Sequence, residues 1–490
     1  MLKVLDFQQV SVTYPNGKRA LDRVSFSISA GECFALVGES GCGKSTLARA
    51  TLGILPPKTK IDGAILAEGK EIINSSAKLL RTLRGLVVGF VAQDPFSACN
   101  PLATVQDFVG EAWRVHSLVP PENAVENSLE NLGIENAKSK IKQFPNAWSG
   151  GMLQRAGIAA AAAHSPKLII ADEPTSALDA ELNKSVLESL RKLKTAVLLI
   201  SHDLKLVEKY ADKIAVMLDG KIVESGAAQE VFQNPQHEYT KKLLSVARPK
   251  IRETAKISEN AKTVLETKNL GHFYEQNELI EDLNLQIKEG EIIGICGASG
   301  CGKSTLLRLL TTIEMQKKGE ILLGGELAVN GETRKLLSQN ARNGFVMPVF
   351  QDSFASLDQH WAIWRIITEP LTAKHRKKKF SKIERREIAK EKLAEVGLEN
   401  VNSDARPTEL SIGQCQRVAI ARALTAEAKI ITADEPTSSL DVLSGERIMK
   451  LFAETARKGT AIVIVSHNKE LLNRWCHRVY SMRNGGLEIL

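Results

Sequence analysis

Apolar residues along the chain come in short runs that recur in its two halves. Residues 1–37 favour β-strands, because apolar and polar side chains alternate at 24–28 and a turn is predicted at 15–17. Two nearly continuous apolar runs, 167–171 and 429–433, are typical of strands buried inside a parallel sheet. Residues 100–148 are more charged and have a helical pattern.

A glycine-rich motif joins an apolar run to a helix-forming run in each half. Residues 38–46 and 297–305 match G-x-x-x-x-G-K-[ST], in which backbone N–H groups and the start of a helix face nucleotide phosphates. Lys44 and Lys303 are predicted to reach the β- and γ-phosphates, and Ser45 and Ser304 to hold Mg²⁺. The predicted nucleotide contacts in the two loops are Gly38, Ser40, Gly41, Cys42, Gly43, Lys44, Ser45 and Thr46, and Gly297, Ser299, Gly300, Cys301, Gly302, Lys303, Ser304 and Thr305.

Paired carboxylates follow the buried run of each half. Asp172 and Asp434 are predicted to bind Mg²⁺, and the adjacent Glu173 and Glu435 to act as the bases that polarise an attacking water. The ordinary alternative is that these carboxylates only cap the start of a helix. The occurrence of Asp-Glu-Pro after both buried runs favours the catalytic interpretation.

Other candidate contacts are also paired between the halves. Each residue type has an ordinary role as a core filler, a loop residue or a structural histidine, and it is the recurrence that favours a nucleotide site. The pairs are an aromatic platform for adenine (Tyr14 and Tyr274), a Mg²⁺ or water ligand at the end of an apolar run (Gln93 and Gln351), a histidine near the γ-phosphate (His202 and His467), and an anion site at a helix start (Ser149, Gly150 and Gly151; Ser411, Gly413 and Gln414).

The matching motifs are separated by nearly constant intervals, so the chain contains one fold twice. The predicted domains are residues 1–247 and 263–490. They are joined by a charged linker at 248–262 that is poor in apolar residues.

The composition of the chain excludes some classes of protein but does not identify its function. No apolar run approaches the roughly 18 residues that a membrane span needs, and the N-terminal residues lack the apolar core of a signal peptide, so a cytoplasmic protein is predicted. The seven cysteines include no C-x-x-C pair and are predicted to be reduced thiols. The net charge of +8 permits an anionic neighbour but is too small to identify one.

In order, these motifs resemble those of the ATP-binding-cassette family over essentially the whole chain. The resemblance implies an α/β fold of two tandem P-loop NTPase domains, each with a mainly parallel sheet, an antiparallel β subdomain and a helical subdomain. It implies ATP and Mg²⁺ as cofactors, with each ATP held between the loop of one half and the Ser-Gly stretch of the other. One site would combine Lys44, Asp172, Glu173 and His202 with Ser411 and Gly413, and the other Lys303, Asp434, Glu435 and His467 with Ser149 and Gly151.

Finer features resemble the ATPases of peptide and nickel importers. Residues 93–101 are similar to that subfamily's stretch after the glutamine, and residues 234–244 to its tail after the cassette. The resemblance implies an ATPase that powers import of peptides, nickel or a metal chelate. Its partners would be two membrane permease subunits and, through them, an extracytoplasmic substrate-binding protein. One fused chain would serve each transporter, bound peripherally to the cytoplasmic face of the inner membrane.

Two other functions remain open at this stage. One is a soluble two-cassette factor that acts on ribosomes or nucleic acid, and the other is the fused ATPase of a monosaccharide importer. The short linker disfavours the first, and the tail at 234–244 disfavours the second. The basic residues within 374–386 are interpreted as a solvated helical face, with anionic lipid as an alternative, and no nucleic acid is expected.

The second half departs from the family pattern at several positions. Asn468 replaces the aspartate after the histidine, and the chain ends soon after residue 486. Ile412 stands where the helix-start motif normally has its first glycine. Because a glycine permits positive φ and close approach to phosphate, Ile412 is predicted to weaken the site that uses Glu173.

Overall fold

The chain folds into two compact units, residues 1–248 and 249–490, each built from the same kinds of layers. The computed structural model describes residues 3–175, 180–247, 257–258, 260–275, 277–298, 300–330, 335–336, 344–373 and 379–490. Most of the predicted linker at 248–262, and residues 374–378 of the basic run, lie outside the described residues.

The first unit contains two sheets and two groups of helices. Its described strands are β1 (Lys3–Thr13), β2 (Arg19–Ser29), β3 (Cys33–Gly38), β4 (Lys60–Ala67), β5 (Lys70–Glu71), β6 (Val88–Val91), β7 (Leu168–Asp172), β8 (Ala196–Ile200), β9 (Lys213–Leu218) and β10 (Lys221–Ala227). Its described helices are α1 (Lys44–Thr51), α2 (Ala77–Leu86), α3 (Val105–Val115), α4 (Ala124–Asn131), α5 (Ala137–Lys140), α6 (Gly150–Ala162), α7 (Ala180–Lys192), α8 (Leu204–Tyr210), α9 (Ala228–Gln233) and α10 (Glu238–Ala247).

The central sheet of the first unit has the order β10-β9-β3-β8-β7-β6 and is parallel except for the β9–β10 pair. Every residue of β7 and β8 is buried, which explains their nearly continuous apolar sequences. The antiparallel sheet β2-β1-β4-β5 packs with β3, β8 and α1 around one apolar core. The parallel order brings the C-terminal ends of β3, β7 and β8 to the same edge.

The second unit repeats this plan. Its described strands are β11 (Thr263–Tyr274), β12 (Asn277–Lys288), β13 (Ile292–Cys296), β14 (Lys318–Leu323), β15 (Glu326–Asn330), β16 (Lys335–Leu336), β17 (Val346–Val349), β18 (Ile430–Asp434), β19 (Ala461–Val465), β20 (Arg478–Arg483) and β21 (Gly486–Ile489). Its described helices are α11 (Lys303–Leu310), α12 (Ile363–Ile367), α13 (Lys382–Glu395), α14 (Ile412–Thr425), α15 (Val442–Arg457) and α16 (Lys469–Trp475). The order β17-β18-β19-β13-β20-β21 matches that of the first central sheet.

The predicted fold class is confirmed, with small shifts in strand bounds. The two predicted buried runs are β7 and β18. Of the apolar run at 86–92 that precedes Gln93, Leu86 belongs to α2 and the strand spans only Val88–Val91. Gly85, at φ 82°, interrupts the helical geometry just before that point. No helix in the described part of the chain is long and apolar enough to cross a membrane.

Candidate nucleotide-binding sites

The loop between β3 and α1 forms the predicted phosphate cradle of the first unit. It is compact because two glycines stand where a side chain would collide with backbone. A Cβ on Gly38 would lie 2.3 Å from Met217 O, and one on Gly43 would lie 2.5 Å from Ala20 O. Gly43 has φ 111° and is the N-cap of α1, so the loop turns sharply into the helix and exposes its first N–H groups.

Lys44 is held inside this loop. Its Nζ donates to the carbonyl oxygens of Gly38 and Glu39, both at 2.8 Å, and lies 3.8 Å from Cys42 Sγ. The ammonium group is therefore oriented toward the concave side of the loop, where phosphate oxygens of a nucleotide would be its partners.

The loop of the second unit has the same construction. Lys303 Nζ donates to Gly297 O at 2.9 Å and to Ala298 O at 2.6 Å, and it lies 3.8 Å from Cys301 Sγ. Gly302 is again the left-handed N-cap of the helix, here α11. Ser299, one of the predicted contacts, lies outside the described residues.

The serine that ends each loop is brought to the aspartate of the adjacent strand end. The Ser45 hydroxyl lies beside the Asp172 carboxylate, and Ser304 lies beside Asp434 in the same way. Burial raises the pKa of Asp172 above its ordinary value, and the charge of Glu173 adds to this, while the Ser45 hydroxyl opposes it. The pKa of Asp434 is raised for the corresponding reasons.

The first of these pairs fits a divalent cation. Asp172 Oδ1 is buried and has no hydrogen-bond partner among the described residues. A buried carboxylate oxygen without a donor is costly unless a cation neutralises it, and Mg²⁺ takes oxygen ligands from carboxylates, hydroxyls and phosphates. Gln93 and Gln351 lie on exposed loops, and within the described ranges neither is bonded to the aspartate of its unit.

The glutamates after β7 and β18 have an unusual backbone conformation. Glu173 and Glu435 both have φ 48°, in the left-handed region. Their N–H groups donate to Ile200 O and Val465 O of the neighbouring strands, both at 2.9 Å. A proline follows each glutamate in the sequence and disfavours the right-handed helical region. Strained conformations of this kind concentrate at functional sites and are maintained by the surrounding structure.

Each of these carboxylates contacts the predicted histidine of its unit. His202 Nδ1 lies 2.7 Å from Glu173 Oε2. Burial alone would lower the pKa of His202, but the hydrogen bond and charge of Glu173 outweigh it and raise the pKa above its ordinary value. In the second unit His467 Nδ1 lies 3.1 Å from Glu435 Oε1, and the His467 backbone N–H donates to the same oxygen at 2.9 Å.

Asn468, one of the departures from the family pattern, performs the same local task as its counterpart Asp203. Asp203 Oδ1 accepts from the backbone N–H groups of Lys205 and Leu206 and caps α8. Asn468 Oδ1 accepts from Leu471 N at 3.0 Å and caps α16. An amide oxygen serves an N-cap as well as a carboxylate does, so the turn after the histidine is retained.

The predicted anion sites at 149–151 and 411–414 are helix starts. Ser149 caps α6 by accepting from Met152 N, and Ser411 caps α14 by accepting from Gln414 N, both at 3.3 Å. Gln414 Oε1 in turn accepts from Ser411 N at 2.8 Å and completes a capping box.

The expectation that Ile412 would be strained at positive φ is wrong. Ile412 is the first residue of α14 and adopts helical geometry, which a β-branched residue tolerates. Its side chain is 66% exposed. The neighbouring Gly413 lies close to the turn before α15, because a Cβ there would be 2.8 Å from Ser439 O. The corresponding turn of the first unit, 176–179, is outside the described residues.

The two predicted adenine platforms are held differently. Tyr14 Oη lies 2.9 Å from Thr46 Oγ1 at the end of the first loop. Tyr274 is 45% exposed and donates to Glu314, whose other oxygen accepts from Arg308 Nε at 3.1 Å. Both rings therefore lie beside the helix that follows the phosphate loop, but only the second is anchored by a charged pair.

Sequence reasoning missed the glutamine and arginine at the fifth and sixth positions of each of these helices. Gln154 Nε2 donates to Ala92 O, directly before Gln93, whereas Gln416 Nε2 donates to Glu435 O. Arg155 bonds the carbonyls of Gly151, Leu132 and Gly133, and Arg417 bonds those of Gly413, Val396 and Gly397. The recurrence of Gln-Arg at matched positions was the signal that could have identified them.

Each unit thus combines a glycine-rich loop, a serine–aspartate pair and a glutamate–histidine pair. Phosphoryl transfer depends mainly on positioning and charge neutralisation, and groups of these types are suited to both. The glutamate suits orienting and deprotonating a water, and the adjacent histidine can donate a hydrogen bond to an oxygen that gains charge.

Comparison with known proteins agrees with this chemistry. The model of the family described as ABC transporter matches residues 21–176 and 280–438. The Peptidoglycan transport ATP-binding protein YejF of Agrobacterium fabrum is 34% identical, over 98% of this chain and 91% of that protein. The Glutathione import ATP-binding protein GsiA of Pectobacterium atrosepticum is 31% identical, over 99% of this chain and 85% of that protein.

A solved structure is similar in fold alone. The archaeal ribosome recycling factor aABCE1, in its complex with the archaeal ribosomal stalk protein aP1, has a TM-score of 0.65 to this chain. The similarity covers 98% of this chain and 89% of that one, at 22% identity.

Proposed function

This chain belongs to the ABC transporter family, and we propose that it powers an importer of peptides or peptide-like compounds. As a member with two tandem ABC domains, it is an ATPase coupled to transport. The observation that carries the proposal is the extent of similarity to ATP-binding proteins of peptidoglycan and glutathione transport, which spans nearly the whole chain. Nickel and metal chelates are alternative cargoes for the same class of importer.

ATP is proposed to bind at two sites, each completed by the other half. Lys44 and Lys303 would hold the β- and γ-phosphates, and the Ser45–Asp172 and Ser304–Asp434 pairs would hold Mg²⁺, which neutralises charge on the phosphates. Glu173 and Glu435 would activate the water, and His202 and His467 would contact the γ-phosphate. The helix starts at Ser149 and Ser411 would close the opposite sites. The buried, unpartnered Asp172 Oδ1 supports the cation assignment.

The proposed partners are two membrane permease subunits, and through them a substrate-binding protein outside the membrane. Exposed apolar side chains lie on and near the two glutamine loops, which supports docking there: Phe96, Leu102 and Phe354. The chain would then bind peripherally to the cytoplasmic face of the inner membrane, with one copy for each transporter.

A ribosomal function is the second candidate, and the observations favour it less. The likeness to the ribosome recycling factor is at 22% identity and concerns the fold. The peptide-importer resemblance at 93–101 and 234–244 is also hard to reconcile with either a ribosomal factor or a monosaccharide importer.

The test is affinity purification of the full chain from membranes of its own cell, with the Lys44→Ala/Lys303→Ala double variant in parallel. We expect two permeases to co-purify with both proteins, and Mg²⁺-dependent ATP hydrolysis only with the unsubstituted chain. Recovery chiefly with ribosomes or RNA would reject the importer. Substantial ATPase activity in the double variant would reject the assignment of the loops.

A further inference from the structure

The tail of the first unit makes a direct contact with the first phosphate loop. Tyr239 lies in the first turn of α10, and its hydroxyl oxygen accepts a hydrogen bond from the backbone N–H of Glu39 at 3.1 Å. Glu39 is the residue directly after Gly38, at the start of the loop. Two segments separated by 200 positions in the chain therefore meet at one peptide group.

Several bonds fix the tail in this place. Glu224, on β10, accepts the backbone N–H groups of Gln236 at 2.7 Å and His237 at 3.0 Å. His237 Nδ1 then accepts from Tyr239 N at 3.1 Å, which orients the start of α10. Further along α10 the side chains of Leu243 and Leu244 are buried, and the helix packs against α8. The tyrosine hydroxyl is consequently presented to the loop by an ordered support.

The same residue, Glu39, also contacts the phosphate-binding lysine. Its carbonyl oxygen accepts from Lys44 Nζ at 2.8 Å, while its N–H is bound by Tyr239. Fixing the N–H restrains the residue whose carbonyl orients Lys44, so motion of the tail is transmitted to the lysine through one residue.

The second unit provides an internal comparison. There Ala298 occupies the position of Glu39, and its carbonyl likewise accepts from Lys303 Nζ. In the part of the second unit that the structure describes, no hydroxyl accepts from the Ala298 N–H. The lysine contact is thus common to both loops, whereas the support from a tyrosine belongs to the first.

We propose that Tyr239 is a positioning residue of the first ATP site. By binding the Glu39 N–H, its hydroxyl holds the phosphate loop in the conformation that receives the β- and γ-phosphates. The proposal rests on the assignment of residues 38–46 as a phosphate loop. It makes the tail before residue 248 part of the nucleotide site, so that a displacement of the tail would weaken nucleotide binding in the first unit only.

The experiment compares Tyr239→Phe with Tyr210→Phe in the full chain carrying Lys303→Ala, which confines nucleotide binding to the first site. Tyr210 is a matched control, because it is also buried and its hydroxyl has no hydrogen-bond partner among the described residues. We expect Tyr239→Phe to weaken ADP and ATP binding about two- to tenfold, the effect of one hydrogen bond. Tyr210→Phe is expected to leave it unchanged.

A second measurement isolates the contact itself. Hydrogen–deuterium exchange of peptides covering residues 38–43 should become faster in Tyr239→Phe and not in Tyr210→Phe. Equal binding and equal exchange in the two variants would overturn the proposal. Weaker binding without faster exchange would overturn it too, because the effect would then not pass through the Glu39 amide. Lys44→Ala in the same background tests the premise that residues 38–46 are a phosphate loop. Nucleotide binding retained in that variant would reject the loop assignment, whatever the effect of Tyr239→Phe.

Discussion

Asp172 and Glu173 are adjacent carboxylates with different surroundings. Asp172 ends β7 and lies beside Ser45, whereas Glu173 has φ 48° and contacts His202. A non-glycine residue in this region costs on the order of 1–3 kcal/mol. The bond from its N–H to Ile200 O maintains the conformation. This conformation directs the two carboxylates to different surroundings, so Asp172 can bind a cation while Glu173 remains available to a water molecule.

The contact between Glu173 and His202 predicts a specific pH dependence. The ordinary pKa of His202 is 6.5, and the carboxylate raises the pKa in the folded chain. A raised pKa means that the interaction stabilises the fold fully below about pH 6.5 and is lost as the pH rises through the folded-state value. In an NMR titration we expect His202 to titrate above its ordinary range, and Glu173→Gln to lower its pKa.

The control for that titration is His116, whose pKa is lowered by burial and by the neighbouring His164 and whose partners do not include Glu173. The pKa of His116 should be the same with and without Glu173→Gln. A His202 pKa at or below the ordinary value, or one that Glu173→Gln leaves unchanged, would contradict the interpretation that the carboxylate controls this histidine.

Among the secondary-structure elements, α6 and α14 each contact several parts of the proposed site residues of their unit. Each follows the capping serine proposed to face a nucleotide, and each carries an arginine that bonds carbonyls just after an earlier helix of its unit. Arg155 reaches the carbonyls of Leu132 and Gly133 after α4. Burial lowers the pKa of its guanidinium, which nevertheless keeps its charge. The arginine thereby fixes the direction in which the helix start points.

Replacing that arginine should loosen the helical subdomain locally. We expect Arg155→Met to destabilise the packing of α4 against α6 by about 1–3 kcal/mol, because hydrogen bonds to a charged donor are lost and Leu132 O is left without its partner. Global unfolding of a two-unit chain is not two-state, so the measurement is hydrogen exchange of residues 124–162. Arg114→Met is the control, since the Arg114 side chain is exposed and, among the described residues, its hydrogen bonds go to Asp107 of its own helix. A change in exchange no larger than in the control would contradict the role of Arg155.

The sequence predicted the elements that depend on local pattern and repetition. The buried strands β7 and β18 follow from apolar runs, and the loops of Lys44 and Lys303 from glycine spacing between a strand and a helix. The left-handed φ of Glu173 was not predictable, because it depends on a bond to the neighbouring strand β8. The helical geometry of Ile412 was missed because the capping box of Ser411 and Gln414 decides it, and positive φ was assumed instead.

At the scale of the whole molecule, the two units have the same arrangement of strands and helices, but different side chains hold the corresponding parts of the two sites. The first loop is bonded by Tyr239 of its own tail, and Tyr14 contacts Thr46. In the second unit Tyr274 is anchored by Glu314 and Arg308, and His272 Nε2 lies 3.0 Å from that same glutamate. In the proposed arrangement each ATP site uses residues of both halves, so the two halves of a fused chain need not remain identical.

The same divergence predicts unequal ATP sites. In the proposed arrangement Ser411, Ile412 and Gly413 close the site of Glu173, while Ser149, Gly150 and Gly151 close that of Glu435. Ile412 is helical, so its effect does not arise from backbone strain. Its exposed side chain lies beside the amides that would approach the γ-phosphate, and we expect it to prevent one contact there. Loss of one charge-assisted hydrogen bond costs about 1.5–3 kcal/mol, which slows hydrolysis roughly tenfold or more. We therefore expect Glu435→Gln to reduce steady-state ATPase activity more than Glu173→Gln does.

A reciprocal exchange shows whether Ile412 causes that inequality. In the Glu435→Gln background, where hydrolysis depends on the Glu173 site, Ile412→Gly should raise the rate. In the Glu173→Gln background, Gly150→Ile should lower it, because it gives the other site the same obstruction. The two substitutions act at matched first positions of α14 and α6, so general damage to a helix start would lower both rates. A clearly larger loss of activity from Glu173→Gln, or a rate that Ile412→Gly does not raise, would contradict the prediction. Opposite changes of rate in the two backgrounds can arise only if the isoleucine side chain limits how closely the helix start approaches the phosphate.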